Sequence, residues 1–375
     1  MDASSSSAVL SRLTLDLRGT RFVIERETLM HLPESVLLCL FPNGLVLTRQ
    51  NQGLGGLDDP EDEEEEEVYM VDFDPQCLSY VLSFFKSAQE DFYGTPNRPG
   101  KYRGLRQQPS SDFNDNSFMS GGGGAGLSSN PLLNKQAIIV LREELEYFVI
   151  PPKATSKLDG DGREGTNLEG KATNALLKLK HSAGEALLQR RHIFTALQRN
   201  VNKENNMAEQ HLIDMLCMSG FSRDDLWGFR AVEPTRCSIT SIALVLLKTG
   251  IRFGPNDGPA NPNEEEVDFM DGVRVDHTQL STAQKLLLFW RKPARKCWWD
   301  GVDIVVPHTS ASASSAEQDG SAALAQQAAD EAEGADMNAT TAGMTGKEVE
   351  LLRSKGGRKC RVWARRVWTL ELSLI

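Results

Sequence analysis

Two spacings in this chain could serve phosphoryl chemistry. VYMVDFDPQCL (68–78) is an apolar run ending in Asp72-x-Asp74. Two carboxylates at a strand end can act as nucleophile and general acid on a phosphate ester. They need magnesium between them and the phosphate, and a threonine or valine two residues further on. That position is Gln76 here, and Pro75-Gln76 runs straight into a helical pattern. Asp74 as a helix cap before a first-turn proline accounts for the same residues. CMSGFSR, Cys217 to Arg223, has the Cys-x5-Arg spacing of thiol phosphatases, where a cradle of backbone N–H groups lowers the thiol pKa. But Cys217 follows Leu216 in an amphipathic stretch, and Gly220 reads as its helix stop. Both spacings are expected to be structural.

Metal and cofactor chemistry finds less support. DGDGREGTNLEG (159–170) imitates a calcium loop, but Glu164 stands where glycine is needed and Gly170 where the bidentate glutamate is needed. SGGGGAG lacks the Lys-Ser/Thr of a phosphate loop. The six histidines share no ligand spacing, and the six cysteines are scattered without a CxxC. No cofactor is expected, and the cysteines are expected to be reduced thiols of a cytoplasmic or nuclear protein. No apolar run is long enough to span a bilayer.

Basic residues do gather near tryptophans. Arg291, Lys292, Arg295, Lys296, Arg358, Lys359, Arg361, Arg365 and Arg366 lie near Trp290, Trp298, Trp299, Trp363 and Trp368. Such a mixture can bind nucleic acid or an acidic membrane. It also arises where Arg and Lys line the solvent face of a sheet packed through tryptophan on its other face. The second reading is favoured, with an acidic protein segment as partner and no nucleic acid. Trp363, Arg361, Arg365 and Arg366 are the candidate contact residues.

The elements that would position these groups follow from composition and periodicity. Net charge is −11, and DDPEDEEEEE (58–67) supplies nine acids. The stretches 50–67, 94–131, 151–171, 254–266 and 307–346 are rich in Gly, Ser, Pro, Ala or charge without periodicity. They cannot offset their ordering entropy and are expected to be disordered. The rest is enough for two modest cores, here assigned to residues 12–152 and 172–375. In the first, Leu13, Leu15 and Leu17 alternate as a strand, Arg18-Gly19 turns, and Phe22 and Ile24 resume. Short helical stretches follow, then a third strand VYMV, then a helix from Pro75. AIIVLREELEYFVIPP (137–152) is expected to be a helix stopped by its prolines. In the second, one long helix is expected over 172–201, another over 207–218, and a third capped by Ser222. SIALVLLKTG reads as a helix or strand. RKCWWDGVDIVV reads as a hairpin turning at Asp300-Gly301. The final stretch from Cys360 alternates, with Arg366 as a bulge. The expected fold class is α+β.

The pieces LDLRGTRFVIERETL, YMVDFDPQCLSYVLSFF and LREELEYFVIPP, in this order, resemble a BTB/POZ domain of the potassium-channel tetramerisation type. The second half, with LLQRRHIFTALQRNVNKENNMAEQHLIDMLCMSGFSRDDLWGFR and VWTLELSLI, resembles fungal general stress-response regulators of the Whi class. That resemblance implies a BTB/POZ-like N-terminal domain with long insertions and a C-terminal helical domain completed by an antiparallel Trp-rich sheet. It implies a non-catalytic, homo-oligomeric adaptor in nutrient or general stress signalling. Such an adaptor restrains growth and TOR-kinase output and recruits phosphatases, in the cytoplasm or at the inner face of the plasma membrane. The alternatives are a substrate adaptor of a cullin-type ubiquitin ligase, with Phe84 and Phe85 as contacts, and a phosphatase using Asp72/Asp74 or Cys217.

Overall fold

The structure, a computed structural model, describes residues 11–42, 68–102, 130–150, 174–204, 206–253, 266–270, 273–307, 346–354 and 357–375. The acidic run 58–67, the imitation calcium loop and most of the expected disordered stretches lie outside the described residues.

The N-terminal part begins with β1 (Arg12–Leu17) and β2 (Thr20–Glu25), a hairpin closed by Leu17 pairing with Thr20. Both turn residues are left-handed, Arg18 at φ 51° and Gly19 at φ 87°. Two such residues make a turn whose twist matches that of the strands, and glycine adopts this geometry without a Cβ penalty. The short helices α1 (Arg26–Met30) and α2 (Glu34–Leu40) follow. β3 (Val68–Val71) then pairs parallel with β1. Asp74 caps α3 (Pro75–Tyr93) by accepting from the N–H groups of Gln76 and Cys77 at 2.8 and 3.0 Å. Leu78, Val81 and Phe85 of α3 bury the inner face of the hairpin, with Leu13, Leu15 and Leu17.

The stretch expected to be disordered from residue 94 opens instead with a small hairpin, β4 (Gly94–Thr95) and β5 (Arg98–Pro99). Tyr102 beyond it stacks on Phe92, centroids 5.5 Å apart, so aromatic packing orders this end of the segment. α4 (Pro131–Asn134) is capped by Asn130.

A five-stranded antiparallel sheet organises the rest, in the order β12-β13-β6-β8-β7. Its strands are β6 (Ala137–Val149), β7 (Phe229–Val232), β8 (Ser238–Leu246), β12 (Ala294–Pro307) and β13 (Gly357–Leu374). β6 lies between β13 and β8, so the parts assigned to 12–152 and 172–375 share one sheet. α5 (Asn174–Leu188), α6 (Thr195–Glu204), α7 (Met207–Ser219) and α8 (His277–Trp290) cover one face. The N-terminal part covers Ile138, Val140, Ile242 and Leu244 on the other. β9 (Ile251–Phe253), β10 (Glu266–Met270) and β11 (Val273–Asp276) form a small satellite sheet. α9 (Gly346–Arg353) packs against β12.

Several expectations are corrected. Residues 137–149 form a strand, not a helix. Leu141, Leu145 and Val149 recur at a helical interval, but Ile138, Ile139 and Val140 are β-branched and buried on both faces. The helix expected over 172–201 breaks into α5 and α6. The break is held by Ile193 N–H to Asp225 O (3.0 Å) and Trp227 N–H to Arg191 O (3.0 Å). Ser222 starts no helix: the Asp225 carboxylate accepts from its N–H at 2.6 Å, closing a tight turn. Asp300-Gly301 is no turn. β12 runs straight through it, and the buried Asp300 pairs with Arg199 at 2.7 Å. Trp290 ends α8 and belongs to no strand. Arg366 marks no bulge, because β12 and β13 keep one register from Ala294↔Leu370 to Pro307↔Gly357.

Candidate partner-binding surface

β13 sorts its side chains by parity. The even positions from Cys360 to Trp368 are buried against the helices, while Lys359, Arg361, Trp363, Arg365 and Val367 face outward. The ladder register places Trp368, Glu143, Ser241 and Arg230 in one row across β13, β6, β8 and β7, on the helix-covered face. Arg366 reaches into this row. Its guanidinium donates to Glu143 Oε1 at 2.6 Å, Arg230 donates to Oε2 at 2.8 Å, and Trp368 Nε1–H donates to Oε1 at 3.1 Å. Burial by itself raises the Glu143 pKa. The charges of Arg366 and Arg230 and the hydrogen bonds from Arg230 and Trp368 outweigh it, and the carboxyl is held down to about 2.

On the other face the N-terminal part is latched by polar contacts. α2 has no side-chain cap of its own. The carboxylate of Glu371 in β13 accepts instead from the N–H groups of Glu34 and Ser35 at 2.6 and 2.9 Å. Arg142 of β6 donates to Ser35 O at 2.7 Å. Burial raises the Glu371 pKa, against these backbone hydrogen bonds.

Beyond this latch the outer face is open. Row partners are Trp299–Arg365–Glu146 and Gly301–Trp363–Phe148 across β12, β13 and β6. Trp299, Phe148 and Trp363 are 58%, 52% and 44% exposed, far above what core aromatics show. Phe148 and Trp299 lie 5.7 Å apart, centroid to centroid. Arg365 donates to Glu146 at 3.0 Å, and Arg361 lies 3.9 Å from Asp303. The patch continues into a groove of about 690 Å³ under α2 and β3, lined in part by Arg18, Asp72, Glu144, Glu146, Arg236 and Arg295. Arg18, in its left-handed turn, lines the groove. It donates to Asp72 at 2.7 Å and to Glu233 at 2.6 Å.

Trp363, Arg361 and Arg365 thus share the outer face, while Arg366 lies on the opposite, buried one. Phe85 is buried in the N-terminal core and Phe84 is half-buried against it. Asp72 and Asp74 share Arg18 rather than an open site. Asp72 is exposed and held by Arg18 at 2.7 Å and by Arg236, whereas Asp74 caps α3 through one oxygen and lies 4.0 Å from Arg18 through the other. Cys217 sits within α7, its thiol pushed up by burial, and Arg223 is engaged by Asp214. Phe148 escapes sequence reasoning because 137–152 reads as a helix, and Trp299, named with the basic cluster, is not picked as a contact because β12 reads as a hairpin. Among the described residues no three His, Cys, Asp or Glu side chains gather as a metal site. No described helix is long and apolar enough to cross a membrane.

The molecule is therefore of the mixed α+β class, with a central antiparallel sheet and part of one face of that sheet left open. No protein-family model matches the chain, and no solved structure matches it. It is 33% identical to a WHI2-like protein of Schizosaccharomyces pombe, over 76% of this chain and 77% of the relative. It is 28% identical to a growth regulation protein of Saccharomyces cerevisiae, over 78% of this chain and 80% of that one. The chain belongs to the WHI2-like family.

Proposed function

We propose that this chain is a non-catalytic adaptor that regulates growth by holding protein partners on the outer face of its central sheet. The observation that carries this is the exposed set Phe148, Trp299 and Trp363 beside Arg361 and Arg365. Aromatic and arginine side chains dominate protein contacts, because each buries a large area and keeps a polar handle. Similarity to the growth regulation protein of Saccharomyces cerevisiae supports the growth role. The order β1-β2-α1-α2-β3-α3 supports reading the N-terminal part as BTB/POZ-like, and with it self-association. The finer assignment is to nutrient or general stress signalling with restrained TOR output, recruited phosphatases and a cytoplasmic or inner-membrane-face location. It rests on the Whi-class resemblance. The adaptor works by proximity, since joining two binding events raises effective concentration without a chemical step. The cullin reading gains nothing from Phe84 and Phe85, which pack toward the core.

The test is complementation in a fungal strain that lacks its own WHI2-like protein. The native chain restores growth regulation, and Trp299→Ala with Trp363→Ala does not, at unchanged thermal unfolding. Full restoration by the double variant sinks the proposal. So does turnover of a generic phosphate ester by the purified chain that is lost in Asp72→Asn or Cys217→Ser.

A further inference from the structure

Among the described residues β12 is an edge strand, paired with β13 alone. In an antiparallel ladder alternate residues turn their backbone groups toward the partner and away from it. On β12 the odd positions turn away, and the chain treats its two halves differently. In the second half Gly301 O accepts from Arg199, Asp303 O accepts from Arg190 at 2.7 Å, and Val305 N–H donates to Glu348 at 3.2 Å. Three side chains therefore blunt that half. In the first half the outward positions are Arg295, Cys297 and Trp299, and among the described residues nothing meets their outward backbone groups. Residues 294–297 and 299 are exposed, whereas Asp300, Val302 and Ile304 to Val306 are buried. Folded proteins block open edges because an unpaired ladder recruits another strand. Blocking one half and leaving the aromatic half open is the arrangement of a strand-addition site.

We infer that Ala294–Trp299 takes an extended acidic segment of a protein partner as an added strand. This rests on reading the outer face as a protein-contact surface, and it names the kind of partner. The charge follows from the approach: Arg291, Lys292, Arg295 and Lys296 fall within six residues without an acid, and although Lys296 is engaged by Glu209, Arg291, Lys292 and Arg295 are exposed. The period follows from the pleat: one side chain in two of the added strand lies beside Arg295 and Trp299, the others beside Lys296 and Trp298. A second copy fits worse. Two-fold pairing about Cys297 meets the blocked Gly301 within four residues on each side, so it buries far less than the ~800 Å² per partner of a stable dimer.

The full chain is panned against a displayed library of random octapeptides, and the enriched peptide is measured by fluorescence anisotropy. The expected peptide is acidic at the end that lies beside Arg295 and Lys296 and apolar at the end that lies beside Trp298 and Trp299. Its affinity falls at least tenfold with Cys297→Pro, a substitution an edge strand tolerates where the N–H faces solvent. A second arm needs no protein variant: methylating the amides of alternate peptide residues abolishes binding in one register and spares it in the other. Enriched peptides without acidic character, or equal binding by Cys297→Pro and by both methylated registers, overturn the inference. So does a native dimer in light scattering that Cys297→Pro converts to monomer. Peptide binding lost only in Trp363→Ala overturns the edge assignment while the outer-face reading stands. Complementation by the Trp299/Trp363 variant removes that reading instead.

Discussion

Arg365 and Arg366 are neighbours in β13, yet they live under different physics. The Arg366 side chain is 10% exposed and the Arg365 side chain 42%. Arg366 has given up its water and depends on Glu143 to balance the loss, so the pair is worth most as a constraint. Glu143 can meet Arg366, Trp368 and Arg230 together only when β13, β6, β8 and β7 hold one register. Arg365 keeps its water, and its pairing with Glu146 is an exchange of like for like. One face of the sheet therefore spends its charges on specifying the fold. The other, beyond the Glu371 and Arg142 latch on α2, keeps its charges and its aromatics available.

The comparison breaks most directly at Glu143. Glu143→Gln leaves two buried guanidiniums without a counter-charge and is expected to cost about 3–5 kcal/mol in urea unfolding. A cost no larger than that of an outer-face substitution would erase the distinction between the faces. Arg366→Met is milder, because Glu143 and Arg230 remain as a balanced pair and the methionine packs against Trp368.

Acid should sharpen the same contrast. The folded-state pKa of Glu143 lies below its ordinary 4.5, near 2. Its contribution is therefore present above about pH 4.5 and is lost as pH falls toward 2. Glu371 runs the other way: its folded pKa is raised, so its contribution is present in acid and is lost as pH rises through that value. Urea midpoints measured from pH 5 to pH 2 should fall in the native chain and fall less in Glu143→Gln. An identical slope in both would remove Glu143 as the titrating group.

The latch of the N-terminal part is the next smaller effect. Glu371→Gln keeps the shape but offers one acceptor oxygen where the Glu34 and Ser35 amides use two, at an expected cost of about 1–2 kcal/mol. The test is whether hydrogen exchange speeds up in α2 ahead of the central sheet. Uniform acceleration would mean that α2 has no stability of its own to lose.

How much of this was legible in the sequence depends on range. The hairpin at Arg18-Gly19, the Asp74 cap and the stop at Gly220 were readable, because each is fixed by residues within one turn of the chain. β6 was misread because LREELEYFV has a helical interval, and its true partners are more than 90 residues away in β8 and over 200 away in β13. Asp300-Gly301 carries the composition of a tight turn. Only the Arg199 side chain, holding both Asp300 and the Gly301 carbonyl, shows why it stays extended. For the candidate surface, Trp363, Arg361 and Arg365 were legible from alternation alone. Arg366 was assigned to the same surface because alternation does not say that a buried glutamate waits on the other face.

The smallest effect on stability, and the most informative for function, belongs to Arg365. Its guanidinium sits at the surface beside Trp299 and Trp363, and its bond to Glu146 is open to water. Arg365→Ala should leave the melting midpoint within error of the native chain, because surface pairs of this kind add little. It should nonetheless weaken binding of a partner that covers the Trp299–Arg365–Glu146 row, and steepness against salt should fall with it, since an exposed guanidinium contributes a screened attraction. A clear drop in midpoint would mean that the outer face also serves the fold, and that the division between Arg365 and Arg366 is one of degree.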